Sequence, residues 1–161
     1  MKPLELHIYD FDGSLYDSPR PKDDRPDWWF SAKSLQGYGG LGEDPKWILS
    51  TVVEARRSIL APWVKTAVLT GRPHQAEMQA TIKKMLAKTG LNFDIVKLKP
   101  LFPPDPTPVF KAKQVLTWLR AAPTVTRVIF YDDLPENLSA VGDVVRQANL
   151  SYTGIRTAGV S

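Results

Sequence analysis

The amino-acid sequence contains no cysteine, which excludes a disulfide framework and any metal site built from thiolates. It has only two histidines, so a zinc centre formed by several imidazoles is not expected, and a bound metal must be held mainly by oxygen atoms. We recognise no signal peptide and no apolar run of membrane-spanning length. We therefore expect a cytoplasmic protein without a membrane partner.

The size and charge of the chain set few further limits. Its length of 161 residues suits a single domain, residues 1–161, with a core large enough to need no cross-links. Lys and Arg number 21 and Asp and Glu 17, which gives a formal net charge of +4. This mildly basic balance is compatible with an anionic partner such as nucleic acid, but it is weak evidence for one.

Apolar runs typical of β-strands alternate with helical patterns along the chain. The five predicted strands are Leu4–Tyr9, Val64–Leu69, Phe93–Leu98, Val125–Tyr131 and Tyr152–Thr157. Four helices are predicted between them; the first is expected to begin with Asp44 as N-cap and Pro45 after it, and the second to end at Gly90. The alternation predicts an α/β fold, a three-layer, doubly wound, Rossmann-like parallel sheet of about five strands.

Two segments interrupt this alternation. Residues 18–44 are rich in proline, glycine, charge and aromatic side chains, and we expect them to form a short irregular insertion. Pro100–Pro108, with the sequence PLFPPDPTP, is predicted to be a proline-stiffened connection that is neither helix nor central strand.

Residues able to handle a phosphoryl group follow three of the predicted strands. They are Asp10 and Asp12, then Thr70 and Gly71, then Asp132 and Asp133. Lys111 begins the helix before the fourth strand. Because parallel strands place their carboxyl ends at one edge of a sheet, we expect all of these groups to meet there. Each pattern taken alone also suits an ordinary turn or helix start, so the prediction depends on their joint occurrence.

The combination predicts phosphoryl transfer. Asp10 and Asp133 are suited to hold Mg²⁺, which prefers oxygen ligands and phosphate. A free carboxylate can attack phosphorus, and Asp12 can protonate the leaving oxygen and later activate water. The hydroxyl of Thr70, the amide of Gly71 and the amine of Lys111 are expected to neutralise the phosphoryl oxygens.

These residues resemble the haloacid dehalogenase-like (HAD) superfamily of phosphotransferases. Its first motif, D-x-D-G-[TS]-L, is similar to Asp10–Leu15, its second to Thr70, its third to Lys111 and its fourth to the pair Asp132 and Asp133. Response-regulator receivers use a similar set, but their phosphorylated Asp follows the third strand, which ends here in KLKP without an acid.

A finer resemblance is to the HAD domain of the Swiss Army Knife RNA repair group. It rests on VLTGRP, LNFDIVKLKP, TPVFKAKQVLTWL and RVIFYDDLPENL, and on tryptophans, here Trp28 and Trp29, in an insert after the first motif. That group more often has Glu-Asp-Arg where this chain has Asp132, Asp133 and Leu134, so a contact from the arginine is not expected.

The resemblance implies roles for the site residues. Asp10 would be the nucleophile and Asp12 the general acid and base, while Mg²⁺ would be held by Asp10, Asp133 and the backbone carbonyl of Asp12. Thr70 and Lys111 would bind phosphate. Asp132 would orient Lys111 or the waters of the metal.

Several side chains keep two interpretations. Arg72 is either a phosphate ligand beside Thr70 and Gly71 or a solvated loop residue. Lys113 competes with Lys111, although the family pattern favours Lys111. The aromatic residues Trp28, Trp29 and Phe30 either stack on nucleobases or anchor the insertion, and we favour the anchor.

The function expected from these observations is Mg²⁺-dependent phosphate hydrolysis through an aspartyl phosphate. Residues 18–44 are too few for a large cap, so we expect a small flap and a bulky substrate such as an RNA or DNA end. A small-molecule phosphatase such as a 5′-nucleotidase, and a non-catalytic module that binds phosphate or nucleic acid, are the alternatives. Protein partners are not predictable from the sequence.

Overall fold

The sheet has five parallel strands in the order β3-β2-β1-β4-β5. The computed structural model describes residues 2–18, 28–35 and 46–159. The strands are β1 (Glu5–Tyr9), β2 (Val64–Pro73), β3 (Ile95–Lys99), β4 (Arg127–Asp132) and β5 (Ser151–Arg156). The central strand β1 pairs with both β2 and β4. Since the strand order reverses beside β1, the crevice expected of a doubly wound sheet lies at its carboxyl end.

Helices cover both faces of the sheet. They are α1 (Leu49–Leu60), α2 (Ala76–Lys88), α3 (Thr107–Ala121) and α4 (Pro135–Gln147). Tyr9 belongs to the core cluster with residues of α1 and α2, whereas Ile8 belongs to the cluster with α3 and α4. Neighbouring residues of a strand point to opposite faces, so β1 is buried on both sides. The predicted three-layer α/β fold is confirmed.

The start of the first helix differs from the prediction. Helix α1 begins at Leu49, with Ile48 as its N-cap, so the predicted start at Asp44 and Pro45 is wrong; those two residues lie outside the described part of the chain. The segment before the helix is instead paired with the loop after β1. The amide of Ile48 donates to the carbonyl of Leu15 at 2.8 Å. This pairing occupies backbone groups that a longer helix would have used.

Three other boundaries differ from the prediction. Helix α3 already includes Pro108, because a proline is tolerated in the first turn, where its missing N–H has no helical partner. Strand β2 runs on to Pro73, so Thr70 and Gly71 lie within it rather than after it. Asp132 likewise is the last residue of β4.

Only residues 28–35 of the predicted insertion, with Ser18 at its start, are described. They form two short 3₁₀ turns, Trp28–Phe30 and Ala32–Leu35. Leu35 is fully buried in the core cluster beneath α1 and α2, and it anchors this piece of the insertion. Among the described helices, none is both long and apolar enough to cross a membrane.

Candidate active site

Lys111 lies between two buried carboxylates at the carboxyl edge of the sheet. Its Nζ atom is 2.8 Å from Oδ1 of Asp10, after β1, and 2.7 Å from Oδ2 of Asp132, at the end of β4. The lysine is only 1% exposed, and it reaches this position because it stands in the second turn of α3. The competing Lys113 is mostly exposed and pairs with Asp105 at 3.0 Å. The geometry therefore favours Lys111.

Burial and neighbouring charges have opposite effects on the pKa values of Asp10 and Lys111. Burial raises the pKa of Asp10 well above its ordinary value, although the ammonium of Lys111 opposes the shift. Burial lowers the pKa of Lys111, but the two carboxylates outweigh that effect and hold the pKa above its ordinary value. Lys111 therefore stays charged, and it is the positive group that makes the buried acids tolerable.

Asp132 is fixed by more than the lysine. Its Oδ1 accepts a hydrogen bond from the amide of Leu134 at 2.9 Å, and Nδ2 of Asn137 donates to both carboxylate oxygens at 3.1 and 3.2 Å. With both oxygens engaged, Asp132 is placed to orient Lys111. Asn137 was not singled out from the sequence; its position in the first turn of α4, five residues after Asp132, was the available signal.

Asp133 completes an acidic cluster with Asp10 and Asp132. One oxygen from each residue lies within 4.8 Å of the others. Among the described residues, Lys111 is the ammonium that contacts this cluster, through Asp10 and Asp132, so three ionised carboxylates would carry excess negative charge. Burial raises the pKa of Asp133, and the neighbouring carboxylate of Asp132 adds to the shift. The donor set and its charge fit a divalent cation that prefers oxygen.

Asp12 belongs to a different arrangement. Its carboxylate is outside the acidic cluster and instead accepts two hydrogen bonds from Arg72, from Nε at 2.9 Å and from Nη2 at 2.7 Å. Arg72 is 1% exposed, so the solvated alternative is wrong. Its neighbour Trp29 accepts a hydrogen bond from Nη1 through the backbone carbonyl and stacks its ring 3.9 Å from Cζ.

A cavity of about 380 Å³ opens over these groups. Of the eight residues that the sequence predicted for the site, Asp132 contacts Lys111 but does not line the cavity. The other seven line it: Asp10, Asp12, Thr70, Gly71, Arg72, Lys111 and Asp133. The hydroxyl oxygen of Thr70 accepts the amide hydrogen of Arg72 at 3.1 Å, so its own hydrogen remains able to donate to a phosphoryl oxygen. Gly71 is confined by Thr107, whose Cγ2 would lie 3.0 Å from a Cβ atom on the glycine.

His7 in β1 and the aromatic residues of the insertion differ in their relation to this cavity. Nδ1 of His7 is 2.6 Å from Oγ of Ser58 and Nε2 is 3.0 Å from Glu5, so His7 is a satisfied structural residue. Trp29 lines the cavity and Phe30 is 55% exposed, while the side chain of Trp28 lies outside the described atoms.

The fold and the residues at its carboxyl edge define a haloacid dehalogenase-like domain. The chain belongs to the family described as HAD domain family 1 in Swiss Army Knife RNA repair proteins, which matches residues 18–160. This confirms the resemblance seen in the motifs. The match begins downstream of Asp10 and Asp12, so their assignment to the site rests on the first motif and on the geometry.

Solved structures share this fold at low sequence identity. A chain of the Pnkp1/Rnl/Hen1 RNA repair complex is 16% identical with a TM-score of 0.64, and the alignment covers 97% of the present chain and 43% of that one. The HAD domain of the effector protein Lem4 from Legionella pneumophila is 13% identical with a TM-score of 0.62, covering 98% and 88%. The present chain thus spans less than half of the Pnkp1/Rnl/Hen1 chain.

Proposed function

We propose that this protein is a Mg²⁺-dependent phosphatase that removes phosphate from the ends of RNA or DNA through an aspartyl phosphate. The observation that carries the proposal is the contact of Lys111 with both Asp10 and Asp132 beneath an open cavity. An attacking carboxylate and a fixed cation are thereby held together where a phosphoryl group can enter. Membership of a family of RNA repair proteins supports a polynucleotide substrate.

The residues present fit a magnesium ion. Asp10, Asp133 and the backbone carbonyl of Asp12 would hold it, with Asp132 reaching it through water, because the oxygens of Asp132 already bind Lys111 and Asn137. When bound, the ion would neutralise the charge of the acidic cluster and of the incoming phosphate. Without it, the excess negative charge of the cluster would repel a phosphate dianion.

The chain's own residues then divide the reaction into two displacements. A carboxylate oxygen of Asp10 attacks phosphorus, the bond from phosphorus to the leaving oxygen breaks, and protonated Asp12 gives its proton to that oxygen. Water next attacks phosphorus, the bond to Asp10 breaks, and Asp12 takes a proton from the water. Phosphate leaves, and both carboxyl groups return to their starting states.

Two neutral donors and one cation would bind the transferred group. Thr70, Gly71 and the buried Lys111 all line the cavity. Preorganised donors of this kind stabilise the charge on the equatorial oxygens without reorganising during the reaction.

A small-molecule phosphatase such as a 5′-nucleotidase is the second candidate. The ring of Trp29 lines the same cavity as the catalytic carboxylates, so it could contact the base of a mononucleotide. The cavity is open, however, and only a short insertion precedes α1, which favours a substrate whose bulk stays outside.

The decisive experiment compares phosphate release from 3′- and 5′-phosphorylated RNA and DNA oligonucleotides with release from the matching mononucleotides. We expect turnover with Mg²⁺ on oligonucleotide ends, and loss with a chelator or in Asp10→Asn. Asp143→Asn, an exposed acid on α4, is the matched control and should keep full activity. Preference for mononucleotides would select the second candidate, and binding without turnover would select a non-catalytic module.

A further inference from the structure

Arg72 connects the proposed acid and base, Asp12, to the described part of the insertion. Toward the active site it makes the two-pronged ion pair with Asp12. Toward the insertion its Nη1 atom donates to the carbonyl of Trp29 at 3.2 Å and to Oγ of Ser34 at 2.5 Å. Arg72 therefore links residues 28–35 to the proposed acid and base.

The hydrogen-bond inventory of Arg72 argues against a main role as phosphate ligand. A guanidinium has five N–H donors, and four are engaged here by Asp12, Trp29 and Ser34. One face of the planar group is covered by the ring of Trp29. A phosphate that bound Arg72 in the usual forked geometry would have to displace Asp12.

The contacts of Arg72 fix the orientation of its partner. Both carboxylate oxygens of Asp12 accept hydrogen bonds from the planar guanidinium, so the fork holds this side chain in one orientation. In the second displacement an oxygen of Asp12 must face the attacking water to take its proton. The first displacement instead needs Asp12 to carry a proton, and only when the leaving oxygen is strongly basic.

We propose that Arg72 is a positioning residue that holds Asp12 as the base for hydrolysis of the aspartyl phosphate, and that Trp29 and Ser34 fix Arg72 in that orientation. In the step concerned, the oxygen of water bonds to phosphorus, its proton passes to Asp12, and the bond from phosphorus to Asp10 breaks. The inference rests on the proposed phosphatase function. With a leaving group that needs no proton, it concerns the second displacement and leaves the first unchanged.

The test uses p-nitrophenyl phosphate, whose leaving group needs no proton. We expect Arg72→Gln to lower kcat about 10- to 100-fold by slowing hydrolysis, and to lower KM by the same factor, so that kcat/KM stays within about threefold of the parent. The phosphoenzyme should accumulate and give a burst of nearly one p-nitrophenol per active site. An acid-quench chase should show its decay slowed by the same factor.

Other roles of Arg72 give different results. A phosphate ligand would raise KM and lower kcat/KM, whereas a residue that only supports packing would lower kcat at constant KM without a burst. Unchanged kinetics would also overturn the inference. Arg120→Gln, on the exposed face of α3, is the matched control and should behave like the parent.

Two milder variants test the same inference if Arg72→Gln does not fold. Arg72→Lys keeps the charge but loses the fork, and Ser34→Ala removes one contact with the insertion while leaving the ion pair with Asp12. Both should show a larger burst and slower decay than the parent, with Ser34→Ala the smaller effect. If neither does, the inference is wrong. If the parent itself releases no phosphate from any substrate, the proposed function fails instead.

Discussion

Gly13 lies so close to Asp133 that a Cβ atom on the glycine would be 2.5 Å from Oδ2 of the carboxylate. Its φ angle of +76° is also one that residues with side chains rarely adopt. The loop that carries Asp10 and Asp12 is therefore packed directly against a proposed metal ligand. Only a glycine satisfies both the backbone angle and the contact distance, so the geometry of the acidic cluster depends on this position.

Gly13→Ala should abolish phosphatase activity and lower stability, because the methyl group must displace Asp133. The backbone angle alone should cost about 1–2 kcal/mol of unfolding free energy, and the contact should add to it. Gly90→Ala is the matched control, since Gly90 has a φ of +72° but nothing within 4 Å of its Cβ position. It should lose about 1 kcal/mol and keep full activity. Equal activity losses in the two variants, measured beside their melting temperatures, would contradict this role.

Lys111→Met should destabilise the protein by about 3–5 kcal/mol near neutral pH, because it leaves buried carboxylates without their cation. The pKa of Asp10, already raised by burial, should rise further, so the folded variant binds a proton that the unfolded chain releases. Its stability should therefore fall as pH rises above about 4. Urea unfolding across pH measures this.

The neighbouring lysine gives the comparison for that experiment. Lys113 has a side chain that is 65% exposed and an ion pair with Asp105, so Lys113→Met should change stability by less than about 1 kcal/mol. It should also leave phosphate release intact. A loss of activity in Lys113→Met with none in Lys111→Met would reverse the assignment of the catalytic lysine.

The sequence was sufficient to predict the sheet and the motif residues, because each depends on local pattern. Five apolar runs separated by amphipathic segments admit few arrangements other than a parallel sheet covered on both faces. The acidic pairs at strand ends then had to meet at one edge. That is why Asp10, Lys111 and Asp132 could be grouped although they are far apart in the chain.

What the sequence did not predict depends on pairings between distant segments. Arg72 forms its ion pair with Asp12 across 60 positions, and nothing near either residue indicates this partner. Ser34 and Asn137 are short polar residues without a motif of their own. The predicted start of α1 was wrong for the same reason. The residues before the helix are paired with the loop after β1, and this distant pairing has no local signal.

Mg²⁺ should raise the melting temperature, and the increment should grow with pH. Burial raises the pKa of both Asp10 and Asp133 above the ordinary value of 3.8, so in the metal-free protein protons compete for the ligand oxygens. The metal-free fold therefore loses stability as pH rises from that value, and the ion restores it. Thermal scans with Mg²⁺ or a chelator between about pH 5 and pH 8 measure the difference. Asp10→Asn should lose the response, Asp143→Asn should keep it, and an increment independent of pH would contradict the argument.

Thr157 ties the end of β5 to the loop that carries the proposed nucleophile. Its hydroxyl donates to the carbonyl of Gly13 at 2.8 Å and lies 2.8 Å from Oγ of Ser14, which is itself 3.4 Å from Oδ2 of Asp10. The amide of Thr157 also donates to the carbonyl of Asp132 at 3.0 Å, so one residue joins the loops after β1 and β4.

Thr157→Val keeps the shape of the side chain and removes the hydroxyl, so it should cost about 1 kcal/mol of stability. Because the loop after β1 then loses one of its restraints, kcat should fall about 3- to 10-fold with little change in KM. Thr153→Val, an exposed threonine on the same strand, is the control for replacing a hydroxyl by a methyl group in β5. Steady-state kinetics and melting temperatures of the two variants separate the outcomes. Equal kcat values for both would mean that the contact with Gly13 does not position Asp10.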